Sequence, residues 1–516
     1  MNERLAAAFA LLPEYLGWHV LLSFAALLLG VAISLPLAVA ASRSPRLRWP
    51  VLAGASLIQT IPSLALLALF YPLLLALSAL SQVTFGKGFS ALGFLPSLLA
   101  LTLYSMLPVL RNAAAAILGV DLAIREAADG VGMTSRQRLL QVELPLAAPV
   151  IMAGVRTAAV WTIGAATLST PVGQTSLGNY IFAGLQTENW VYVLFGCAAS
   201  AALALIADQL LGLIEAGARR RSARLALVGA VGLLAGVALA VWPLAGAGKA
   251  GAYVVGAKNF SEQYILAEVI AGRLQAAGAQ VSRKEDLGSA VAYRALAAGE
   301  LDVYVVYSGT LWTNVLGRKD NPGRAEVLRQ LTAQLKKRDG VVVLGSLGFE
   351  NAYAFVMRPD RARALGVASL SDLAREAPKL TLGSDLEFLS RPEWKAVDAA
   401  YGLGFRTRRS YQPTFMYRAL AGGEADVISA FSSDGRIAAD RLVVLSDPRQ
   451  AVPPYDAIVL ISPRRAGDRR LTGALTPLIG KVTVEAMRAA NYSVDRDQGK
   501  LSPAQAARVL EKRLGR

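Results

Sequence analysis

Cysteine and histidine are almost absent from this 516-residue chain, in which Cys197 and His19 are the only examples. One cysteine cannot form an internal disulfide, and two such residues cannot build a cysteine- or histidine-based metal site. Cys197 lies inside an apolar run, where we expect a buried, inert thiol. His19 begins another apolar run, where we expect an interfacial side chain more than a proton relay. The sequence therefore predicts neither a metal nor a cofactor.

Signatures of enzymes are missing as well. Each lysine that follows a glycine is followed by a residue other than Ser or Thr, so the chain contains no phosphate-binding P-loop. We also find no nucleophile elbow, no cluster of metal ligands and no Cys/His pair. The sequence predicts a protein that is not an enzyme and has no ATPase site of its own.

Charged residues are scarce in the first half of the chain. Residues 1–250 hold 15 Lys/Arg and 9 Asp/Glu, whereas residues 251–516 hold 38 and 28. An apolar half followed by a half with ordinary charge density predicts a helical membrane domain fused to a globular domain. The net charge of +16 could suggest nucleic acid, but no basic run is interleaved with aromatics. We attribute it to a solvated surface and to charges that anchor the chain at the membrane.

Six apolar runs are long enough to cross a bilayer, which takes about 20 helical residues. The first, followed by further spans, is expected to be a membrane helix and not a cleaved signal peptide. Arginines concentrate in the first, third and fifth connections, so the positive-inside rule places these three loops in the cytoplasm. The chain is thus expected to be a multi-pass protein of the cell membrane, with everything after the sixth run outside. The six runs lie near residues 17–41, 52–80, 92–119, 146–170, 190–217 and 225–245.

Polar residues interrupt the second run at Gln59, Thr60, Pro62 and Ser63. Polar groups inside a membrane usually face a bundle interior or a cavity. Either a place in the translocation pathway or helix-packing hydrogen bonds would explain these side chains.

The second half alternates β-like and helical segments, which is typical of an α/β domain. About 265 residues suffice for two lobes, and crossing strands are expected near 352–358 and 455–461. The sequence predicts a two-lobed periplasmic-binding-protein-like domain that closes by hinge motion. The predicted divisions are a permease domain at 1–224, a last membrane helix and small-residue linker at 225–252, and an external domain at 253–516. Within the latter, lobe I covers about 253–355 and 458–516, and lobe II covers about 356–457.

The loop at 121–145 contains Glu126-Ala127-Ala128, then Gly132 after three residues, Val142 after nine more, and Leu144-Pro145. This spacing resembles the cytoplasmic "EAA" loop of bacterial ABC importer permeases, in which a short coupling helix docks on a separate ATPase subunit. The resemblance implies a type I importer permease with about six membrane helices. It implies ATPase-coupling roles for Arg125, Glu126, Ala127, Ala128, Gly132, Leu144 and Pro145.

The external domain opens with GAKNFSEQ at residues 256–263 and continues with LDVYVVYSGT, GFENAYAF, FLSRPEW and ADVISAFSSDGRI. These segments resemble the proteins that bind glycine betaine, carnitine, choline or proline betaine, so the chain resembles a permease fused to its binding protein in osmoprotectant uptake. It departs from the family at Val305-Val306, where relatives have Pro-Glu, and at Phe431, where Tyr is common.

The resemblance implies import of a quaternary ammonium osmoprotectant. Such a head group donates no hydrogen bond, so aromatic faces are its natural partners. Carried over residue by residue, Tyr353, Phe431 and Tyr455 become cage walls, Gln263, Thr310 and Asn351 bind polar groups or brace rings, and Phe260 belongs to the same site. The expected partners are the ATPase, a second permease copy, the betaine ligand and membrane lipid, but not nucleic acid.

Two alternatives stay open. An ABC importer of amino acids or another small polar solute would be favoured by an acid in the pocket, for which Asp385 and Asp434 are available. A ligand-sensing receptor would have no use for an ATPase-docking loop. The missing Glu at Val306 and the basic domain favour zwitterionic betaines over choline.

Overall fold

Proline 62 breaks what the sequence suggests is one membrane span. In the computed structural model, helix α2 ends at Thr60 and helix α3 begins at Ser63. Proline has no N–H and drives the preceding residue out of the helical region, and Ile61 is accordingly extended (φ −76°, ψ 125°). The predicted span at 52–80 was therefore wrong in its bounds, since the second helix long enough to cross a membrane is Ser63–Phe85.

The structure describes residues 2–86, 89, 91–186, 189–246, 253–318, 320–385, 388–411, 413–496 and 498–515. Within these residues six helical stretches are long and apolar enough to cross a membrane. Most of the predicted linker, residues 247–252, lies outside the described residues. The chain separates into a membrane unit, Met1–Phe182 with Val191–Lys249, and a second unit, Ala183–Trp190 with Ala250–Arg516.

The membrane unit is entirely helical in its described part. A π-helical turn (Leu139–Glu143) joins α6 to α7, and a 3-10 turn (Thr167–Val172) follows α7. Its core is formed where α4 packs against α1 and α7, with buried Val109, Ala113, Ile151, Val155 and Ala158. The helices are α1 (Asn2–Arg43), α2 (Pro45–Thr60), α3 (Ser63–Phe85), α4 (Phe94–Leu118), α5 (Leu122–Gly130), α6 (Ser135–Arg138), α7 (Leu144–Ala166), α8 (Gly178–Gln186), α9 (Trp190–Arg220) and α10 (Ala223–Val241).

Two expectations for the membrane residues were wrong. His19 is fully buried: its Nε2 lies 3.0 Å from the Ile163 carbonyl oxygen, and its Nδ1 lies 3.3 Å from the Leu177 backbone nitrogen. It joins helices and is not interfacial, because both ring nitrogens find backbone partners in the interior. Cys197 is exposed on α9 instead of buried.

Gln59 donates from Nε2 to the Tyr104 carbonyl oxygen on α4 at 3.2 Å, which is a helix-packing contact. The Tyr104 hydroxyl donates to the Ile61 carbonyl oxygen beside the break. Thr60 bonds only within its own helix, to the Leu57 carbonyl at 2.7 Å. The bonds to the Leu57 and Ile61 carbonyl oxygens satisfy backbone acceptors at the break, and the Gln59 bond joins α2 to α4.

The second unit contains two five-stranded sheets of the same design. Their strand orders are β2-β1-β3-β10-β4 and β7-β6-β8-β5-β9. In each, three strands run parallel, and the strand that follows a crossing between the sheets pairs antiparallel with one of them. The strands are β1 (Tyr253–Lys258), β2 (Val281–Leu287), β3 (Val303–Tyr307), β4 (Val342–Glu350), β5 (Tyr353–Met357), β6 (Thr381–Ser384), β7 (Thr407–Ser410), β8 (Val427–Phe431), β9 (Val443–Val444) and β10 (Asp456–Ile461).

Helices cover these sheets and alternate with the strands along the chain. After the α-helix Arg469–Leu475 the chain forms a 3-10 turn at Thr476–Leu478 and resumes an α-helix at Val484. The helices are α11 (Ser261–Ala276), α12 (Ser289–Ala297), α13 (Ser308–Thr310), α14 (Arg324–Asp339), α15 (Pro359–Leu365), α16 (Leu370–Glu376), α17 (Pro392–Tyr401), α18 (Pro413–Ala421), α19 (Gly435–Ala439), α20 (Arg469–Leu475), α21 (Val484–Asp495) and α22 (Pro503–Arg513).

The chain passes between the two sheets twice. It leaves the first sheet after β4 and enters the second at β5, and it returns between β9 and β10. The two crossings touch, since the Asn351 backbone N–H donates to the Tyr455 carbonyl oxygen at 2.9 Å. Residues at the crossings are therefore placed where both sheets can contribute to one cavity.

Candidate functional site

A cavity of about 330 Å³ lies between the two sheets. Its wall combines the loop after β1, the ends of β3, β5 and β8, and the second crossing. It is lined by Lys258, Asn259, Phe260, Ser261, Glu262, Ser289, Tyr307, Thr310, Asn351, Tyr353, Asp385, Arg391, Tyr411, Tyr417, Phe431, Ser433, Asp434, Arg436, Tyr455, Asn491 and Asp495.

Sheet register brings the aromatic rings of the cavity together. Tyr353, the first residue of β5, pairs with Phe431, the last residue of antiparallel β8. Their ring centroids are 4.9 Å apart, and the Tyr455 ring meets Tyr353 edge-on at 5.9 Å. Phe260 lies nearly parallel to Phe431, with centroids 6.3 Å apart. Strand ends from both sheets thus build an aromatic wall.

Two cationic side chains share this wall. Lys258 Nζ lies 4.8 Å from the ring centroid of Tyr307 and 5.3 Å from that of Phe260. The Arg391 guanidinium lies 5.4 Å from the Tyr353 ring centroid. Cations at such distances are attracted to the ring faces. The cavity therefore offers positive charge beside aromatic surface.

Arg391 is also fixed by an acid. Its Nη2 and Nε atoms lie 2.9 Å and 3.1 Å from the two carboxylate oxygens of Glu393, which is fully buried. The Tyr455 hydroxyl donates to the same carboxylate. Arg391 therefore stands in a defined position with its charge partly balanced.

Glu262 organises the floor of the cavity. Its carboxylate accepts hydrogen bonds from the Tyr307 hydroxyl at 2.5 Å, from Asn351 Nδ2 at 3.1 Å and from Asn491 Nδ2 at 2.8 Å. Burial raises the pKa of Glu262, and these hydrogen bonds act against that rise. The two asparagine Oδ1 atoms are buried and accept no hydrogen bond from a described residue. They leave acceptors for a ligand.

A pair of acids lies at another part of the wall. Asp434 caps α19 by accepting from the Arg436 backbone N–H at 3.0 Å, and Asp495 accepts from the Ser261 hydroxyl at 2.5 Å. Burial, and then the charge of Asp434, raise the pKa of Asp495 to about 7. Burial also raises the pKa of Asp434. Together with Asp385, these residues place three carboxyl groups in the wall of the pocket.

Most residues proposed from the sequence meet in this cavity. Phe260, Thr310, Asn351, Tyr353, Phe431 and Tyr455 line it. Gln263 does not; its Nε2 donates to the Tyr307 hydroxyl at 3.1 Å, behind the wall. Sequence reasoning missed Lys258 and Arg391, although both lie inside the segments that carried the resemblance. Their roles were not signalled because a lone basic residue in a motif does not show which way it points.

Family models match both units of the chain. Residues 251–510 match the substrate-binding domain of ABC-type glycine betaine transport systems, and residues 30–220 match the inner membrane component of binding-protein-dependent transport systems. The chain belongs to the osmoprotectant ABC importers, as a permease fused to its binding protein. Its relatives are permease and binding components of such importers and not catalytic enzymes.

Individual relatives cover different parts of this importer subunit. It is 28% identical over 511 residues to the ergothioneine transport permease/ergothioneine binding protein of Helicobacter pylori (strain G27), covering 95% of this chain and 88% of the relative. It is 39% identical over 197 residues to a choline transport system permease of Bacillus subtilis (strain 168), covering 38% and 83%. A crystal structure named as a glycine betaine/carnitine/choline ABC transporter covers 51% of this chain and 98% of its own, at 28% identity and a TM-score of 0.45.

The family assignment fixes the importer's general arrangement. It is a multi-pass membrane protein, its binding domain is extracytoplasmic as in these importers, and it works in a complex with an ATPase and a small-molecule ligand. The predicted recognition, fold class and localisation are confirmed.

The loop that resembles the EAA segment forms two short helices in this importer. Asp121 caps α5, and Thr134 with Gln137 forms a capping box at α6. Glu126 and Ala127 are exposed and Ala128 is buried, while Gly132 adopts φ +81° in the turn between the helices. Leu144 and Pro145 begin α7. The loop also exposes large apolar side chains, namely Leu122, Ile124, Val131 and Leu140.

Proposed function

We propose that this chain imports a zwitterionic betaine, with the cavity as the ligand site and a separate ATPase as the motor. The observation that carries the proposal is the combination of an aromatic wall with two buried cations. A quaternary ammonium group needs ring faces, whereas a carboxylate needs a positive partner. Tyr353, Phe431 and Tyr455 supply the first, and Lys258 with Arg391 supplies the second.

The free energy needed for micromolar binding is consistent with a site that uses both aromatic rings and cations. Three rings at about 1–2 kcal/mol each contribute roughly 3–6 kcal/mol, short of the about 8 kcal/mol that micromolar binding needs. A hydrogen bond to a charged group adds about 1.5–3 kcal/mol. The Thr310 hydroxyl, which lines the cavity beside Tyr307, is suited to the ligand carboxylate. Choline has no carboxylate and would meet Lys258 as a like charge.

A betaine that also carries N–H donors is the second candidate. The acceptors at Asn351 Oδ1 and Asn491 Oδ1 have no partner among the described residues, and Asp434 and Asp495 share the wall. Glycine betaine has no N–H or O–H to offer them. A relative named for ergothioneine, an N–H-bearing betaine, aligns with 95% of the chain. Because Asp434 and Asp495 could also accept hydrogen bonds from the ammonium group of an amino acid, an amino acid is included among the ligands tested below.

The transport cycle follows from the two units. We propose that the crossings beside Asn351 and Tyr455 are the hinge between a lobe built on the first sheet and a lobe built on the second. The boundaries expected at 355/356 and 457/458 fall inside β5 and β10, so we move them to these crossings. Closure around the ligand would present it to a pore formed by two copies of the permease in the membrane lipid. The ATPase would dock on the 121–145 loop, where Glu126, Ala127 and the exposed apolar side chains are available.

Calorimetric titration of the purified full chain tests the ligand class. We expect glycine betaine, carnitine or ergothioneine to bind at least about tenfold more tightly than choline, and histidine not to bind. In Lys258→Gln, we expect weaker betaine binding and unchanged or tighter choline binding, because a carboxylate loses its cation while an ammonium loses a repulsion. Tightest binding of choline or of an amino acid would contradict the proposal.

A further inference from the structure

Glu143 occupies the single position between Val142 and Leu144, which the motif does not specify. Most of the loop is exposed or half-buried, but this carboxylate is fully buried. Three arginines surround it: Arg43 at the end of α1, and Arg125 and Arg138 in the loop. A buried charge persists only when it is paired, so Glu143 is fixed by its neighbours.

Each arginine connects Glu143 to a different element. Arg43 Nη2 lies 2.5 Å from Glu143 Oε2 and ties it to α1. Arg125 donates to the Ile117 and Leu118 carbonyl oxygens, which are at the carboxyl end of α4. Arg138 pairs with Asp129 at the end of α5. Glu143 itself directly precedes α7. Four helices therefore meet at one carboxylate.

The two Glu143 oxygens are not equally satisfied. Oε2 accepts from Arg43, whereas Oε1 is buried and accepts no hydrogen bond from a described residue. Oε1 lies 3.3 Å from Arg138 Nε and 3.8 Å from Arg125 Nε, and neither of these buried N–H groups has a hydrogen-bond partner in the described part of the chain. Arg138 Nε is already within hydrogen-bond distance of Oε1 and needs only a better angle, whereas Arg125 Nε would have to approach by roughly 1 Å.

We infer that Glu143 is a positioning residue that exchanges between Arg43 and the loop arginines when the ATPase moves the loop. In one state the carboxylate holds α1; in the other it holds α5 and α6 through Arg125 and Arg138. An element with two arrangements of this kind can carry coupling between distant sites. Because Glu143 begins the turn into α7, the exchange would move the entry of a membrane helix. This inference rests on the docking proposed above.

The exchange is tested by measuring ATP hydrolysis by the full chain and its ATPase in proteoliposomes. Two arginine variants should change the rate in opposite directions. In Arg43→Gln, the loop-bound state is favoured without ligand, so ligand-free ATP hydrolysis should rise several-fold. In Arg138→Gln, the loop-bound state is disfavoured, so ligand-stimulated hydrolysis should fall. Both side chains are partly exposed, so neither change empties the core. A static clamp would lower hydrolysis in both variants, and that result would overturn the inference.

Glu143→Gln keeps the shape and removes the charge. We expect the ATPase to copurify normally and the ligand transported per ATP to fall about tenfold, the loss of one charged hydrogen bond. The matched control is Glu215→Gln on α9, a buried glutamate paired with Arg156 and Arg219 away from the loop, which should keep the wild-type ratio. A wild-type ratio in Glu143→Gln, or an equal loss in the control, would sink the inference.

Failure of the docking itself has a separate readout. Ala127 is exposed, so Ala127→Trp adds bulk without disturbing the interior. It should abolish copurification of the ATPase if the loop is the dock. Normal copurification of Ala127→Trp would refute the docking, whereas its loss together with wild-type behaviour of Glu143→Gln refutes only the exchange.

Discussion

Phe431 shows what a single substitution does to the pocket. Where relatives of this family commonly have Tyr, it keeps the ring face and lacks the hydroxyl. The ring stands between Tyr353 and Phe260, and a missing hydroxyl leaves no polar group to satisfy at that position. The departure from the family pattern therefore preserves attraction to an ammonium group.

Removal of this ring should separate binding from stability. We expect Phe431→Ala to raise the betaine dissociation constant about tenfold or more, because one ring contributes about 1–2 kcal/mol. The control is Phe405→Ala, a buried ring packed on Trp394 outside the cavity. It should lower the melting temperature by roughly 10 °C and leave affinity unchanged. Calorimetry with thermal unfolding checks both, and equal affinity losses would argue against a ring-lined site.

Helix α19 follows a strand of the second sheet and α21 follows a strand of the first, and together they bring two acids into the same wall. Asp434 is the cap of α19, and Asp495 ends α21. Burial alone would favour the protonated forms, and the mutual repulsion of the two carboxylates adds to this effect. The elements, and not the residue types, thus create a group that titrates near neutral pH.

The stability of the external domain should depend on pH through Asp495. Its pKa rises from 3.8 to about 7 on folding, so the folded state binds the extra proton between these values. The contribution of Asp495 to the free energy of unfolding is therefore at its maximum below pH 3.8 and is lost as the pH rises to about 7. We expect Asp495→Asn to be stabilised relative to the wild type at pH 8, and much less so at pH 4, in thermal unfolding.

Asp372 provides a control of opposite sign. The Ser369 hydroxyl donates to it at 2.8 Å, and this bond holds its pKa below the usual 3.8. Its contribution is present above that pH and is lost as the pH falls, so Asp372→Asn should destabilise the domain at pH 8 and less at pH 3. The same pH trend in both variants would show that Asp495 does not retain its proton.

At the scale of the whole molecule, the cytoplasmic loops of the membrane unit and the binding domain lie in different compartments. The arginines of the first, third and fifth connections predict cytoplasmic loops, and the family's binding domains are extracytoplasmic. The importer therefore takes ligand on one side and energy on the other. A signal must therefore cross the membrane unit, and the exchange proposed at Glu143 would pass it to α7.

Cysteine labelling can check this arrangement, because Cys197 is the only native cysteine. In a Cys197→Ser background, Lys481→Cys should react with an impermeant maleimide on intact cells, since Lys481 is exposed in the external domain. Ser135→Cys, exposed in the 121–145 loop, should react only after the membrane is opened. Labelling of both from outside would contradict the topology.

The sequence alone determined the features that depend on local pattern. Apolar length gave the number of membrane spans but misplaced the second, arginine placement predicted their orientation, and short motifs gave the family and several aromatic residues of the cavity. These signals lie within single segments, so no knowledge of distant contacts was needed.

Tertiary structure decided everything that joins distant segments. Arg43 and Glu143 are 100 positions apart in the sequence. Arg391 and Tyr455, whose hydroxyl accepts a hydrogen bond from Arg391, are 64 positions apart. His19 is buried because Ile163 and Leu177 supply its partners, which its own apolar run does not reveal. Whether a polar side chain is a ligand contact, a brace or a structural link depends on which partner packing places beside it.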